Sequence, residues 1–121
     1  MRETPVAFKS HGKQIVGMLH LPSRKNAPVI IMCHGWSGNR LGTWNAFFVK
    51  VAREFSKNGF AVVRFDFRGS GDSEGKWEDQ NTTTMLEDLD GIITQIVKYP
   101  EINKEKIGLI GHSQGGRIVL L

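Results

Sequence analysis

Only one cysteine occurs among the 121 residues, so no disulfide can form within the chain. That residue, Cys33, lies inside the apolar run Pro28-Val29-Ile30-Ile31-Met32-Cys33 and reads as a small, inert hydrophobe. No pair of Cys or His residues has the spacing of metal ligands, so neither a metal nor another cofactor is expected. No apolar stretch approaches the roughly 20 residues that cross a bilayer, and no membrane partner is expected. The start, Met1-Arg2-Glu3-Thr4-Pro5, lacks the apolar core of a secretory signal, so the cytoplasm is the expected compartment. Repeats and low-complexity tracts are absent as well. Basic residues outnumber acidic ones, 16 to 12, but they are scattered rather than clustered. Their role is to solvate the surface, and no nucleic-acid partner is expected. What remains is the composition of one ordinary soluble domain, 40% hydrophobic and 23% charged.

Residues 4–10 and 14–21 carry the alternation of strands, with Val6 and Phe8 in the first and Ile15, Leu19 and Leu21 on one face of the second. Ser10-His11-Gly12-Lys13 between them is a tight turn, so the pair is expected to form an antiparallel hairpin. His11 and His20 fall in or beside it and read as solvated or packed residues rather than catalytic ones. The run 28–33 is apolar throughout, which marks a strand covered on both faces and hence a central parallel strand. It ends in the loop His34-Gly35-Trp36-Ser37-Gly38-Asn39, at the carboxyl end where open α/β sheets bind ligands. From Thr43, a fair N-cap, Trp44, Phe47, Phe48, Val51, Ala52 and Phe55 recur at helical spacing, and Asn58-Gly59 stops the helix.

Residues 60–65 form the next strand. Glycines at 69 and 71 give a fragment of a phosphate-binding pattern, but the third glycine and the helix that should follow are missing. The stretch reads instead as a turn-rich loop fixed by Asp66 and Arg68. Thr84 and Glu87 have capping-box spacing, and Leu86, Leu89, Ile93, Ile96 and Val97 form the apolar face of a helix that Pro100 ends. Glu87, Asp88 and Asp90 stand in its first turns, where the helix dipole favours acids. The strand 106–110 comes last. Strands alternating with helices predict an α/β fold, a parallel sheet with right-handed crossovers, prefaced by the hairpin.

That last strand runs into Gly111-His112-Ser113-Gln114-Gly115, and helix-compatible residues follow to Leu121. Gly-x-Ser-x-Gly on a strand-to-helix turn holds its serine in a strained conformation with the side chain projecting from the sheet. Side chains at 111 and 115 would collide, which requires glycine at both. The helix that follows points its N-terminus at Ser113, favouring negative charge there. These features make Ser113 the candidate nucleophile.

Three segments together resemble the N-terminal half of an α/β-hydrolase. They are His34-Gly35-Trp36, the run Asp66-Phe67-Arg68-Gly69-Ser70-Gly71-Asp72-Ser73, and Gly111-His112-Ser113-Gln114-Gly115-Gly116. The finer pattern, including Gly75-Lys76-Trp77-Glu78-Asp79 and Met85-Leu86-Glu87-Asp88, is similar to bacterial feruloyl (cinnamoyl) esterases. The resemblance implies that residues 1–121 are the N-terminal part of a single α/β-hydrolase domain. It implies a serine carboxylic-ester hydrolase working through an acyl-enzyme on Ser113, with feruloyl or cinnamoyl esters as the small-molecule substrates. The backbone N–H groups of Trp36 and Gln114 become the oxyanion hole, and His34 shapes the oxyanion loop. His112 is expected to point away from the pocket, and neither histidine is expected to be the general base. Strand 28–33 is expected beside strand 106–110, which brings Trp36 next to Ser113.

In that fold the acid and the histidine follow the serine along the chain. None of the eight residues after Ser113 is acidic or histidine. The isolated chain is therefore expected to be a fragment with near-background activity. A second chain, a swapped partner or further C-terminal residues would complete it, covering an open apolar edge on the last strand. A serine peptidase or lipase-like hydrolase of the same fold remains an alternative, although His34-Gly35-Trp36 is not the His-Gly-Gly-Gly form of one esterase branch. A non-catalytic interaction module that pairs through that strand edge is the other.

Overall fold

In the computed structural model, which describes residues 1–42 and 44–121, the two N-terminal runs pair as the hairpin β1 (Arg2–Ser10) and β2 (Lys13–Leu21). The turn is tight because His11 and Gly12 both adopt positive φ. β2 pairs antiparallel with β4 (Ala61–Phe65), and β4 lies parallel to β3 (Ala27–Cys33). β5 (Ile102–Gly111) lies parallel on the other side of β3, giving the five-stranded order β1-β2-β4-β3-β5. The expected neighbourhood of the third and last strands is therefore present. β5 starts earlier than the apolar pattern predicts, because Ala27 pairs with Ile102 before a register shift and donates its N–H to the Glu101 carbonyl at 2.9 Å.

Strand alternation sorts the core into two layers. Ile30, Met32 and Val62 face α1 (Phe47–Lys57), packing on Phe48 and Ala52. Val29, Ile31, Val63 and Phe65 face the opposite side, where Met85, Leu89, Ile92 and Ile96 of α2 (Thr82–Ile96) and Ile118 of α3 (Gln114–Leu120) cover them. Each such side chain contributes about 1.5–3 kcal/mol by leaving water. The continuous apolar run of β3 is thus explained by cover on both faces, and β4, interrupted by Arg64, is buried along its whole length as well. β5 pairs on one side only, and its Ile107 and Leu109 are 36% and 37% exposed, so it is the sheet's open apolar edge.

Helix starts depart from the sequence reading. The expected cap Thr43 and the side chain of Trp44 lie outside the described residues. Asn45 and Ala46 take left-handed conformations, and α1 begins only at Phe47 after a short turn at Trp44–Ala46. The capping box of α2 is Asn81 with Thr84, not Thr84 with Glu87. Asn81 accepts from the Thr84 N–H at 2.9 Å, and Thr84 Oγ1 accepts from the Asn81 N–H at 3.0 Å. A better cap three residues earlier won, since Asn is preferred to Thr at this position.

The loop after β4 is fixed by Asp66 and Arg68, as expected, but through a partner the sequence reading assigned to the helix dipole. Asp88 is fully buried and accepts hydrogen bonds from Ser10 Oγ at 2.7 Å, the Arg68 N–H at 2.8 Å and the Arg68 guanidinium at 2.9 Å. It joins α2 to the hairpin and the loop. Asp66, also buried, accepts from the N–H groups of Arg40 and Asp72 and pairs with the Arg40 guanidinium. His20 is packed rather than solvated. It accepts from Arg64 Nε at 2.9 Å, and burial together with the Arg64 charge pushes its pKa down to about 4.

Candidate active site

The chain leaves β3 towards β4 on one side and returns across the sheet to β5 on the other, so the strand order reverses at β3. The carboxyl ends of β3 and β5 flank that reversal, where α/β sheets open a crevice. Their register sets the two following segments level. Cys33 pairs with Gly111, and the His112 N–H donates to the Cys33 carbonyl at 3.0 Å.

Ser113 follows with φ 56° and ψ −120°, a sparsely populated conformation that costs on the order of 1–3 kcal/mol. Glycine is required on both flanks. A side chain at Gly111 would overlap the Gly115 carbonyl, and one at Gly115 would overlap the carbonyls of Cys33 and His34. The second collision is with β3 rather than within the turn, so Gly115 also fits the bend against the sheet. Ser113 is exposed, and its hydroxyl makes no hydrogen bond among the described residues.

The 34–38 loop comes to meet it. A β-carbon on Gly35 would stand 3.0 Å from the Ser113 β-carbon and 3.1 Å from the His112 carbonyl oxygen, so only glycine lets the loop approach this closely. His34 is buried and both its nitrogens are engaged. Nε2 accepts from the Phe67 N–H at 3.0 Å, which leaves the proton on Nδ1 to donate to the Gly35 carbonyl at 2.7 Å. Burial lowers its pKa, keeping the ring neutral. The Gly38 N–H also donates to the Gly35 carbonyl, at 3.1 Å. Across a trans peptide the N–H of Trp36 points opposite to that carbonyl, so His34 orients the Trp36 amide. Neither the Trp36 nor the Gln114 N–H donates a hydrogen bond among the described residues.

A cavity of about 290 Å³ lies between these segments, lined by the 34–38 loop, Gly42, Phe48, His112 and Ser113. Trp36 and Ser113 therefore face one space, and Gln114 follows directly. His112 is exposed and borders this cavity, where the sequence reading had it facing away. Phe48 was missed as a lining residue, and Arg40 as a residue that holds the loop after β4. Phe48 belongs to the aromatic stripe of α1 and looked like core alone. Arg40 carried no signal, because its partners Asp66 and Asp72 are brought to it only by the fold. Cys33 is buried, which pushes its thiol pKa far up, so it offers no competing nucleophile. Among the described residues no helix is long and apolar enough to cross a membrane, and no group of His, Cys, Asp and Glu is gathered to hold a metal.

Residues 28–121 match the family described as alpha/beta hydrolase fold. The chain belongs to the α/β-hydrolase fold family. It is 37% identical over 89 residues to an uncharacterized 31.7 kDa protein of the traX–finO intergenic region of Escherichia coli, covering 74% of this chain and 30% of that protein. It is 32% identical over 106 residues to the thiohydrolase aneE of Aspergillus aculeatus, covering 87% of this chain and 32% of that protein. The chain thus spans about a third of the length of these relatives. Among solved structures, the ferulic acid complex of Est1E from Butyrivibrio proteoclasticus superposes with a TM-score of 0.87 at 27% identity, over 96% of this chain and 45% of Est1E. The five-stranded sheet of this α/β-hydrolase chain is the N-terminal portion of that fold.

Proposed function

We propose that the protein is a serine carboxylic-ester hydrolase that forms an acyl-enzyme on Ser113. The observation that carries this reading is an exposed, strained serine sharing one cavity with Trp36, while the amides of Trp36 and Gln114 donate to no group among the described residues. In this reading Ser113 Oγ attacks the ester carbonyl and loses its proton to a base. The two amides hold the negative oxygen, the alcohol leaves with a proton, and water then releases the acid. Losing one such amide typically costs about 2.7–4 kcal/mol of transition-state stabilisation.

The base and its acid come from outside these residues. His34 has no free nitrogen, and no histidine hydrogen-bonds Ser113 among the described residues. A second chain, a swapped partner or further residues of a longer protein supplies them, seated along the open edge of β5. The 121-residue chain alone then hydrolyses esters near the uncatalysed rate. Feruloyl or cinnamoyl esters are the favoured substrates, supported by the ferulic acid bound to the similar Est1E. Acyl thioesters are a second reading, supported by the similar thiohydrolase aneE; the same acyl-enzyme chemistry serves both.

Fluorophosphonate labelling tests the nucleophile. The completed protein is expected to be modified at Ser113 and the Ser113→Ala variant not at all. Labelling that persists in Ser113→Ala, or is absent from every assembly, defeats the proposal. Comparing methyl ferulate, an acyl thioester, a peptide and a long-chain glyceride then assigns the substrate class.

A further inference from the structure

One indole ring lines the cavity, a second lies beside it, and neither is buried in the core. Trp36 and Trp77 lie with ring centroids 6.4 Å apart and planes tilted by 49°. They are 43% and 57% exposed, although a tryptophan that merely packs is largely covered. Trp36 lines the cavity, and Trp77 extends the same aromatic surface outward from it.

The segment carrying Trp77 is rigidly built for a surface loop. Gly69 approaches the Lys76 carbonyl too closely for any side chain. The Lys76 N–H donates to Asp79 at 2.8 Å, and the Gln80 N–H donates to the Trp77 carbonyl at 3.1 Å. Gln80 is itself buried and donates to the Arg68 carbonyl at 3.0 Å. None of the residues of the short helical turn Trp77–Asp79 is buried, so the turn holds its tryptophan outward instead of anchoring it in the core.

We infer that Trp36 and Trp77 form a stacking platform for a planar, conjugated group of the substrate at the mouth of the cavity. The inference rests on the ester-hydrolase reading of Ser113 and adds the residue that selects the acyl group. The cavity, about 290 Å³, is at the small end of ligand sites, which run from about 300 to 1,000 Å³. Part of a substrate much larger than the scissile ester must lie outside the cavity, and the exposed Trp36–Trp77 pair offers it an aromatic surface beside the cavity wall. A flat π system gains face-to-face and edge contacts there that a saturated group of the same size lacks.

Calorimetric titration of the Ser113→Ala protein, which cannot turn the ligand over, is the test. The ligands are methyl cinnamate and its saturated counterpart methyl 3-cyclohexylpropanoate. Cinnamate is expected to bind about tenfold or more tightly than the saturated ester, the scale of one aromatic stacking contact. Adding Trp77→Leu is expected to remove that preference, and adding Trp77→Phe to restore most of it. Equal affinity for the two esters, an undiminished preference in Trp77→Leu, or no binding of either overturns the inference. Fluorophosphonate labelling of the unsubstituted protein separates the two claims. Labelling without any effect of Trp77 removes the platform and leaves the hydrolase. A Trp77-dependent preference without labelling removes the hydrolase and leaves an aromatic-binding site.

Discussion

Replacing Asp88 with alanine would remove a fully buried carboxylate that ties helix, hairpin and loop together. Its three hydrogen bonds, 2.7–2.9 Å long, go to Ser10 Oγ, the Arg68 N–H and the Arg68 guanidinium. Asp88 is fully covered and the Arg68 side chain is only 10% exposed. Breaking such a pair from one side leaves an uncompensated buried cation, which costs about 3–5 kcal/mol. The stranded Arg68 N–H adds about 1–3 kcal/mol. Against this, the guanidinium keeps Glu87 at 3.3 Å, on a carboxylate 32% exposed, so it does not lose all charge compensation. We expect a net loss of about 4 kcal/mol, a large part of the roughly 5–15 kcal/mol that holds a domain together. In urea, with a slope near 2 kcal/mol per molar, the midpoint should fall by about 2 M. Far-UV dichroism reads this directly. The double variant Arg68→Met, Asp88→Leu should be more stable than Asp88→Ala, because no charge is then stranded. A loss below about 1 kcal/mol in Asp88→Ala, or a double variant whose loss equals the sum of the singles, would refute the idea that the pair is coupled.

Three further outcomes follow from the same contacts. Gly115→Ala drives a β-carbon into the carbonyls of Cys33 and His34, so the melting temperature should drop by about 10 °C or more, and an unchanged melt would refute the packing on β3 of the elbow, the sharp bend at Ser113. The His20 pKa is pushed down to about 4 from an ordinary 6.5, so folding favours the neutral ring. Its stabilising effect is complete above pH 6.5 and is lost as pH falls from there towards 4. The unfolded chain takes the proton first, a change on the order of 3 kcal/mol. Denaturation midpoints measured from pH 7 to 4 should decline, and His20→Gln should flatten that decline. His34→Ala leaves the Gly35 carbonyl held by the Gly38 N–H alone, which loosens the Trp36 amide, so fluorophosphonate labelling of Ser113 should slow by about 10–100-fold, whereas His112→Ala should slow it far less.

Much of the architecture was legible because the hydrophobic periods are unambiguous. The unbroken apolar run of β3 marked a strand covered on both faces, and the alternation in the hairpin marked the side chains that face the core. The elbow was legible because two glycines around a serine have a steric reason, and a side chain at either would overlap a carbonyl. What stayed hidden was carried by polar side chains acting over distance. Asp88 lies 78 residues from Ser10, and nothing local distinguishes it from an acid that merely suits a helix start. Arg40 and Asp66 are similarly joined only by folding. The starts of α1 and α2 were misplaced for a local reason. Apolar spacing fixes a helix face but not its first residue, and left-handed Asn45 and the Asn81 cap decided that instead.

The relation between Trp36 and Ser113 depends on β-sheet register more than on either loop. Pairing of Cys33 with Gly111 puts the end of β3 and the start of the elbow at one height, and the His112 N–H locks them through the Cys33 carbonyl. A slip of one residue would move the elbow by about 3.3 Å along the strand and turn its side chains to the opposite face. Gly35 would then have no serine beside it, and Trp36 and Ser113 would no longer line one cavity. The register is held by Val29, Ile31 and Ile30 pairing with Ile107, Leu109 and Gly108, and by the two core layers that clamp β3 from both sides. β5 has no such clamp on its outer edge. The structural element that sets the proposed oxyanion geometry is therefore also the one with least support. Covering that edge should sharpen the site as well as complete it, so a strand-pairing partner is expected to raise the rate of Ser113 labelling even when it brings no histidine. A partner that binds the edge and leaves that rate unchanged would show that β3 alone sets the register.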